Sequence, residues 1–297
     1  MEYNPHLPAA ILGAAPFAVL PFSLALSAYR LAQVVALSLA WWWAVRSFWR
    51  PGLVPFVMGV VLGAWAPVWQ GLDWGAPPGF LALAGMAAWH FSRTGRPVSS
   101  GLLAALTIGV RPPGAGVTSG WATWSRRRIS MAVLSAALGI TGNFWLFGLG
   151  PTEWVRKAAT VDEFIPVGAS LTSLLRLDPA GAATVAALAL MASWLVTRLW
   201  NDLDRGTALG MTVAVTSFPL GWFHYDALLL LVVAWMMGRA RSGLIPVLAL
   251  ATFFALTGIP ALEGAGPMLH WMRLAGRLAL MAGVLLADQR NDQPRHA

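Results

Sequence analysis

Apolar stretches long enough to cross a bilayer recur along the whole of this 297-residue chain, and arginines mark one set of their ends. Taking about 20 predominantly apolar residues as a crossing, spans are expected at 22–45, 52–69, 77–92, 129–150, 180–200, 206–221, 225–238, 243–258 and 268–287. Arg46, Arg50, Arg93, Arg96, Arg126, Arg127, Arg128, Arg198, Arg205, Arg239, Arg241, Arg290 and Arg295 flank them on one side. Glu2, Asp73, Glu153, Asp162, Glu163, Asp178, Asp226 and Glu263 flank the opposite ends. Cytoplasmic loops keep an excess of Lys and Arg, so the alternation predicts an amino terminus outside and a carboxyl terminus in the cytoplasm. The expected class is all-α: a polytopic integral membrane protein with about 9–10 crossings plus re-entrant or interfacial helices. Residues 1–287 read as one transmembrane domain and 288–297 as a polar cytoplasmic tail.

Composition agrees. Apolar residues make up 58% of the chain and charged residues 11%, against about 25% charged in a typical soluble domain; the mean hydropathy is +0.65. Seventeen Trp suit aromatic belts at the membrane faces, as in Trp41, Trp42, Trp43 and Trp49 beside Arg46 and Arg50. A pI near 11.3 would suggest nucleic acid in a soluble protein. Here orientation accounts for the arginine excess, and no nucleic-acid partner is expected. With no Cys, disulfides, thiolate metal sites and a Cys nucleophile are excluded. Five scattered His, without metal-ligand spacing, predict no metal, and no cofactor is expected.

Two regions break the simple alternation. Residues 98–125 hold a half-length apolar segment, then Arg111-Pro112-Pro113 and a Gly/Ser/Thr/Trp-rich stretch. Alternation is preserved if this region enters and returns to the same side as a broken hairpin, either lining a pocket or packing loosely. Non-helical backbone at membrane depth is tolerated only where it is buried or lines a cavity. The outer connection 151–178 carries an amphipathic segment at 165–177 suited to the interface plane. Residues 7–20 are short and Pro-broken and read as interfacial or re-entrant.

Ionisable groups within spans are costly and so become candidates for function. Arg30, Arg111, Arg273 and Arg277 qualify, the last two sharing a helix face at i,i+4. An anionic head group such as a phosphate would suit Arg at these depths; snorkelling or an internal pair is the competing reading. A second constellation is SFPLGWFHYDALLLL at 217–231. It presents His224, Tyr225 and Asp226 at the outer face, either for hydroxyl or pyrophosphate binding or as an interfacial turn with an Asp cap.

With these motifs in view, the chain resembles glycosyltransferase family 87, membrane sugar transferases of the GT-C superfold. The opening YNPHLPAAILGAAPFAVLPF is similar to the family's Tyr/Pro-rich entry. VSSGLLAALTIGVRPP at 98–113 is similar to a segment with Lys where Arg111 stands, and Arg126–Arg128 match the basic cluster that follows it. GASLTSLLRL at 168–177 resembles the family's outer helix, with Gly168 and Ala169 in place of Asn and Gln, and SFPLGWFHYDALLLL resembles its Ser-Pro…Trp…His-Tyr element.

The resemblance implies transfer of a hexose, typically mannose, from a polyprenyl-phosphate sugar to a glycan or glycolipid acceptor, with the membrane lipid as surroundings. For such a reaction Arg111, His224 and Arg273 are the candidates for the donor phosphate, and Ser170, Arg176, Tyr225 and Asp226 those for the sugar or acceptor. The family's catalytic acid stands on a loop that would precede Tyr3, so the base role falls to Asp162 and Glu163 as the candidates on the outer loop. The alternatives are a non-catalytic family member that binds lipid-linked sugar or scaffolds a partner, and a small-solute transporter. Against the last, the sequence has no inverted repeat and no matched pair of broken helices.

Overall fold

Apolar periodicity without β-branched alternation yields helices. The computed structural model describes residues 14–49, 55, 57–60, 65–73, 76–146, 170–218, 225–239, 244–258 and 267–287, and these contain no strand. A 3-10 turn at Ala15–Phe17 leads into α1 (Phe22–Phe48), then α2 (Ala66–Asp73), α3 (Pro78–Arg93) and α4 (Pro97–Val110). A long 3-10 segment, Pro112–Thr123, connects to α5 (Arg126–Leu146). The turn α6 (Leu171–Leu174) precedes α7 (Pro179–Trp200), α8 (Leu203–Ser217), α9 (Asp226–Arg239), α10 (Leu244–Thr257) and α11 (Pro267–Leu286). The fold is all-α. The expected crossing at 52–69 is described only in part, and 7–13, 151–169 and 288–297 lie outside the described residues.

Among the described residues, three helices are long and apolar enough to cross a membrane: Phe22–Phe48, Ala180–Trp200 and Met268–Leu286. The apolar windows of the first two are only 11% and 22% buried within the protein. Leu31, Val35, Leu39 and Trp42 on α1, and Leu188, Met191, Leu195 and Leu199 on α7, therefore face outward. Apolar surface on this scale is an interaction face, and hydrocarbon is its natural solvent. The remaining helices include α4 and α10, apolar but of 14 residues each, or about 21 Å of helix against a hydrocarbon core near 30 Å.

Two buried elements form the centre. α9 and α8 are enclosed along nearly their whole lengths, from Asp226 to Met236 and from Arg205 to Ser217. α8 lies against the 3-10 segment through small residues on both sides. A Cβ at Gly116 would sit 2.4 Å from the Gly210 carbonyl oxygen; one at Gly210 would meet Ser119 Oγ at 2.2 Å; one at Gly120 would meet Thr207 Oγ1 at 2.2 Å. This is the close backbone approach that small residues permit between membrane helices. Ser119 Oγ also shares a hydrogen bond with Ser193 Oγ of α7, 3.0 Å away. The hairpin expected at 98–125 is thus a half-length helix followed by a tightly packed 3-10 return.

Buried polar groups close the helix ends. Pro77 supplies no side-chain cap to α3. Instead Gln33 Oε1, itself fully buried on the inward face of α1, accepts hydrogen bonds from Gly79 N at 2.9 Å and Phe80 N at 3.1 Å. Arg205, stacked on Trp200 with its Cζ 3.8 Å from the ring centroid, donates to the carbonyls of Val284 and Leu285 at the end of α11. Arg198 does the same for Ala122 and Trp124. Asp202 caps α8 through Arg205 N and pairs with Arg239 at 2.9 Å. Asp204 accepts from Trp89 Nε1 at 2.9 Å and pairs with Arg93 at 3.2 Å. Several arginines that read as orientation signals therefore also bind their own chain.

The amphipathic helix expected over 165–177 is shorter within the described residues. It ends at Leu174, because Arg176 takes a left-handed conformation with φ of 51°.

Gly210→Ala should lower the thermal midpoint in detergent, read by Trp fluorescence, by the equivalent of about 1–3 kcal/mol from overpacking. Gly142→Ala, with nothing within 4 Å of the added methyl, should leave it unchanged or raise it by about 0.5–1 kcal/mol. Equal effects at the two positions would contradict the close approach of α8 to the 3-10 segment.

Candidate functional site

Proline chemistry sets up the first site residue. Pro112 and Pro113 disfavour the α region for the residue before them, and Arg111 adopts an extended conformation, φ −157° and ψ 134°, between α4 and the 3-10 segment. The break turns a long cationic side chain into the protein, where Arg111 is only 4% exposed. Its guanidinium carbon lies 5.7 Å from the centroid of the Tyr225 ring, and the two side chains are hydrogen-bonded.

Tyr225 stands one residue before α9, so its neighbour Asp226 opens that helix. Asp226 is fully buried and accepts from Arg277 Nε at 2.7 Å, with both side chains at 0% exposure. Its second oxygen, Oδ2, has no hydrogen-bond partner among the described residues. Arg273, one turn before Arg277 on α11 and 1% exposed, lies within electrostatic reach of the same carboxylate. His270, a further turn back on that face, adjoins both arginines.

From the other side α1 contributes Tyr29, which is near Arg111, hydrogen-bonded to Gln33 and edge-on to Phe80 with ring centroids 6.0 Å apart. Two groups of side chains thus flank the Tyr225–Asp226 peptide: Arg111 with Tyr225 and Tyr29 on one side, and Asp226 with Arg277, Arg273 and His270 on the other. Among the described residues Asp226 is the one buried acid. Guanidinium groups in such an enclosed setting give strong, charge-assisted hydrogen bonds to phosphate or carboxylate oxygens.

The other sequence-derived candidates are placed as follows. Ser170 is buried, 3.2 Å from Thr172 Oγ1, which in turn donates to the Ser217 carbonyl at 3.0 Å. These residues pin the α6 turn to the end of α8, and α6 also touches α11. Arg176 is exposed on the left-handed turn after α6. Arg30 donates to the Leu72 carbonyl at 3.3 Å, a structural role. His224, Asp162 and Glu163 lie outside the described residues. No group of three or more metal-ligating side chains occurs among the described residues.

Sequence reasoning named Arg111, Tyr225, Asp226 and Arg273, and noted Arg277 as the i,i+4 companion of Arg273. It passed over Tyr29, Gln33 and His270. Their signal was the same helical spacing: Tyr29 and Gln33 are one turn apart within an apolar span, and His270 is three residues before Arg273.

The ion pair makes a sharp stability prediction. Arg277→Ala leaves the Asp226 carboxylate buried without its bonded cation and should cost about 3–5 kcal/mol. Adding Asp226→Leu to that variant should recover most of the loss. A thermal-denaturation double-mutant cycle with additive effects would show that the two side chains do not interact.

Comparison with protein-family models, curated proteins and solved structures gives no match to this chain.

Proposed function

We propose that this chain is a polytopic membrane protein of GT-C-like architecture that transfers a hexose from a polyprenyl-phosphate sugar to a glycan or glycolipid acceptor. The observation that carries the reading is the set of buried arginines on either side of the Tyr225–Asp226 peptide, Arg111 against Tyr225 and Arg277 and Arg273 about Asp226. Such a set suits a leaving phosphate, whose developing charge is stabilised by preorganised cationic donors. The family resemblance of the motifs that contain Arg111, Ser170, Arg176, His224, Tyr225 and Asp226 supports the same assignment.

In this reaction an acceptor hydroxyl oxygen attacks the anomeric carbon, the bond from that carbon to the phosphate oxygen breaks, and polyprenyl phosphate departs. The hydroxyl proton passes to a carboxylate base, a role proposed for Asp162 or Glu163. Arg111 and Arg273 hold the phosphate, and Tyr225 orients Arg111 through its phenol. Asp226 Oδ2 is an acceptor for a sugar or acceptor hydroxyl. The alternation of Arg-rich and acidic ends supports about 9–10 crossings with the amino terminus outside.

One observation favours a second reading, a protein that binds lipid-linked sugar without turning it over. Asp226, the one described buried acid, is engaged by Arg277, which leaves it poorly suited as a base.

Purified protein supplied with polyprenyl-phosphate mannose and a lipid-linked acceptor should release polyprenyl phosphate. Arg111→Ala and Arg273→Ala should each lower that release about 10- to 100-fold, the loss expected of a charge-assisted contact of 1.5–3 kcal/mol. Binding of the donor without release selects the second reading. Neither binding nor release overturns both. Activity that survives both Asp162→Ala and Glu163→Ala removes those two residues as the base.

A further inference from the structure

A lateral groove of about 430 Å³ runs along α5 where it meets the 3-10 segment and α7. Ile129, Val133, Ala136 and Ile140, one face of α5 at helical spacing, form one wall; Trp121 and Trp194 form the other. From Ile129 to Ile140 the groove follows about 16 Å of helix. It is apolar, and Trp121 Nε1 is turned away into a buried contact with Ser92 and Ser100. The outer face of α5 beside it is also apolar, with Met131, Leu134 and Leu138 exposed.

The end of this groove is strongly cationic. Arg126, Arg127 and Arg128 occupy the first turn of α5 and are all exposed. That turn contains no acidic residue, although the positive end of the helix dipole disfavours cations and favours anions there. Arg128 reaches over the turn between α3 and α4, its Nη1 3.4 Å from where a Cβ on Gly95 would stand. Of the three, Arg126 stands one turn before the groove-lining residues on their face of α5, while Arg128 turns towards Gly95, so the cationic turn borders the end of the apolar groove.

We propose that this is a binding site for an anionic diacyl phospholipid, its phosphate on Arg126–Arg128 and one acyl chain in the groove. Charge complementarity selects the head group, and the apolar walls select the tail. The site is distinct from the Arg111 cluster: Arg128 adjoins the start of α4, whereas Arg111 follows its end, about 21 Å away along that helix. It goes beyond the transferase reading and does not depend on turnover.

The test is native mass spectrometry of detergent-purified protein equilibrated with equal amounts of isotopically distinct phosphatidylglycerol and phosphatidylcholine. Wild-type protein should retain the anionic lipid about tenfold more than the zwitterionic one. Replacing Arg126, Arg127 and Arg128 together with Ala should bring the ratio close to one, and replacing them with Lys should preserve most of it. Val133→Trp, which fills the groove from an exposed position, should reduce retention of phosphatidylglycerol. Equal retention of the two lipids by wild-type protein, a preference that survives the Ala replacement, or unchanged retention in Val133→Trp would each overturn the proposal. Release of polyprenyl phosphate in the transfer assay is a separate readout, so failure of one reading leaves the other standing.

Discussion

The buried ion pair between Arg277 and Asp226 is the contact on which the inner architecture rests. Both groups are removed from solvent, and a buried pair of this kind contributes little net stability while making loss of either partner expensive. Its effect is to specify geometry. It joins the start of α9 to the middle of α11, two helices that also pack on α8. Because Tyr225 immediately precedes Asp226, fixing the carboxylate also fixes the phenol that meets Arg111. The α4 break, the start of α9 and α11 are thereby linked through two side-chain contacts made by adjacent residues.

Polar side chains do much of the joining elsewhere. Gln33 replaces a missing cap on α3 from the face of another helix, and Arg198 and Arg205 close segment ends that are distant in sequence. In an apolar environment every unsatisfied backbone group is costly, so side chains that reach across to helix ends take over what water does in a soluble protein. The small residues between α8 and the 3-10 segment bring backbones close enough for such contacts to form.

Helix positions were largely legible in the sequence, since long apolar runs with arginine or proline at their ends leave little freedom. The expected segments at 22–45, 77–92, 180–200 and 225–238 correspond closely to α1, α3, α7 and α9. The Pro112-Pro113 break was legible for the same reason, and with it the unusual placement of Arg111. The partners of the arginines were not. Arg93 and Arg239 read as topology signals, yet each pairs with an acid, Asp204 or Asp202, at the same Arg-rich end. Tyr29 and Gln33 were hidden because contacts between α1 and α3 depend on which face of an almost uniformly apolar helix turns inward, and hydrophobic periodicity carries almost no information there. The end of α6 was missed because an amphipathic pattern does not reveal that Arg176 reverses the backbone.

The 3-10 segment also works as a ruler. Twelve residues at the 3-10 rise of about 2.0 Å extend some 24 Å, whereas the same residues as α-helix would extend only about 18 Å. Rewinding Pro112–Thr123 would therefore shorten the return path by about 6 Å and draw Arg111 away from Tyr225 unless α5 moved with it. The glycine contacts with α8 hold the longer form in place. The distance between the two basic regions of this protein, Arg111 within and Arg126–Arg128 at the surface, is thus set by the winding of twelve residues.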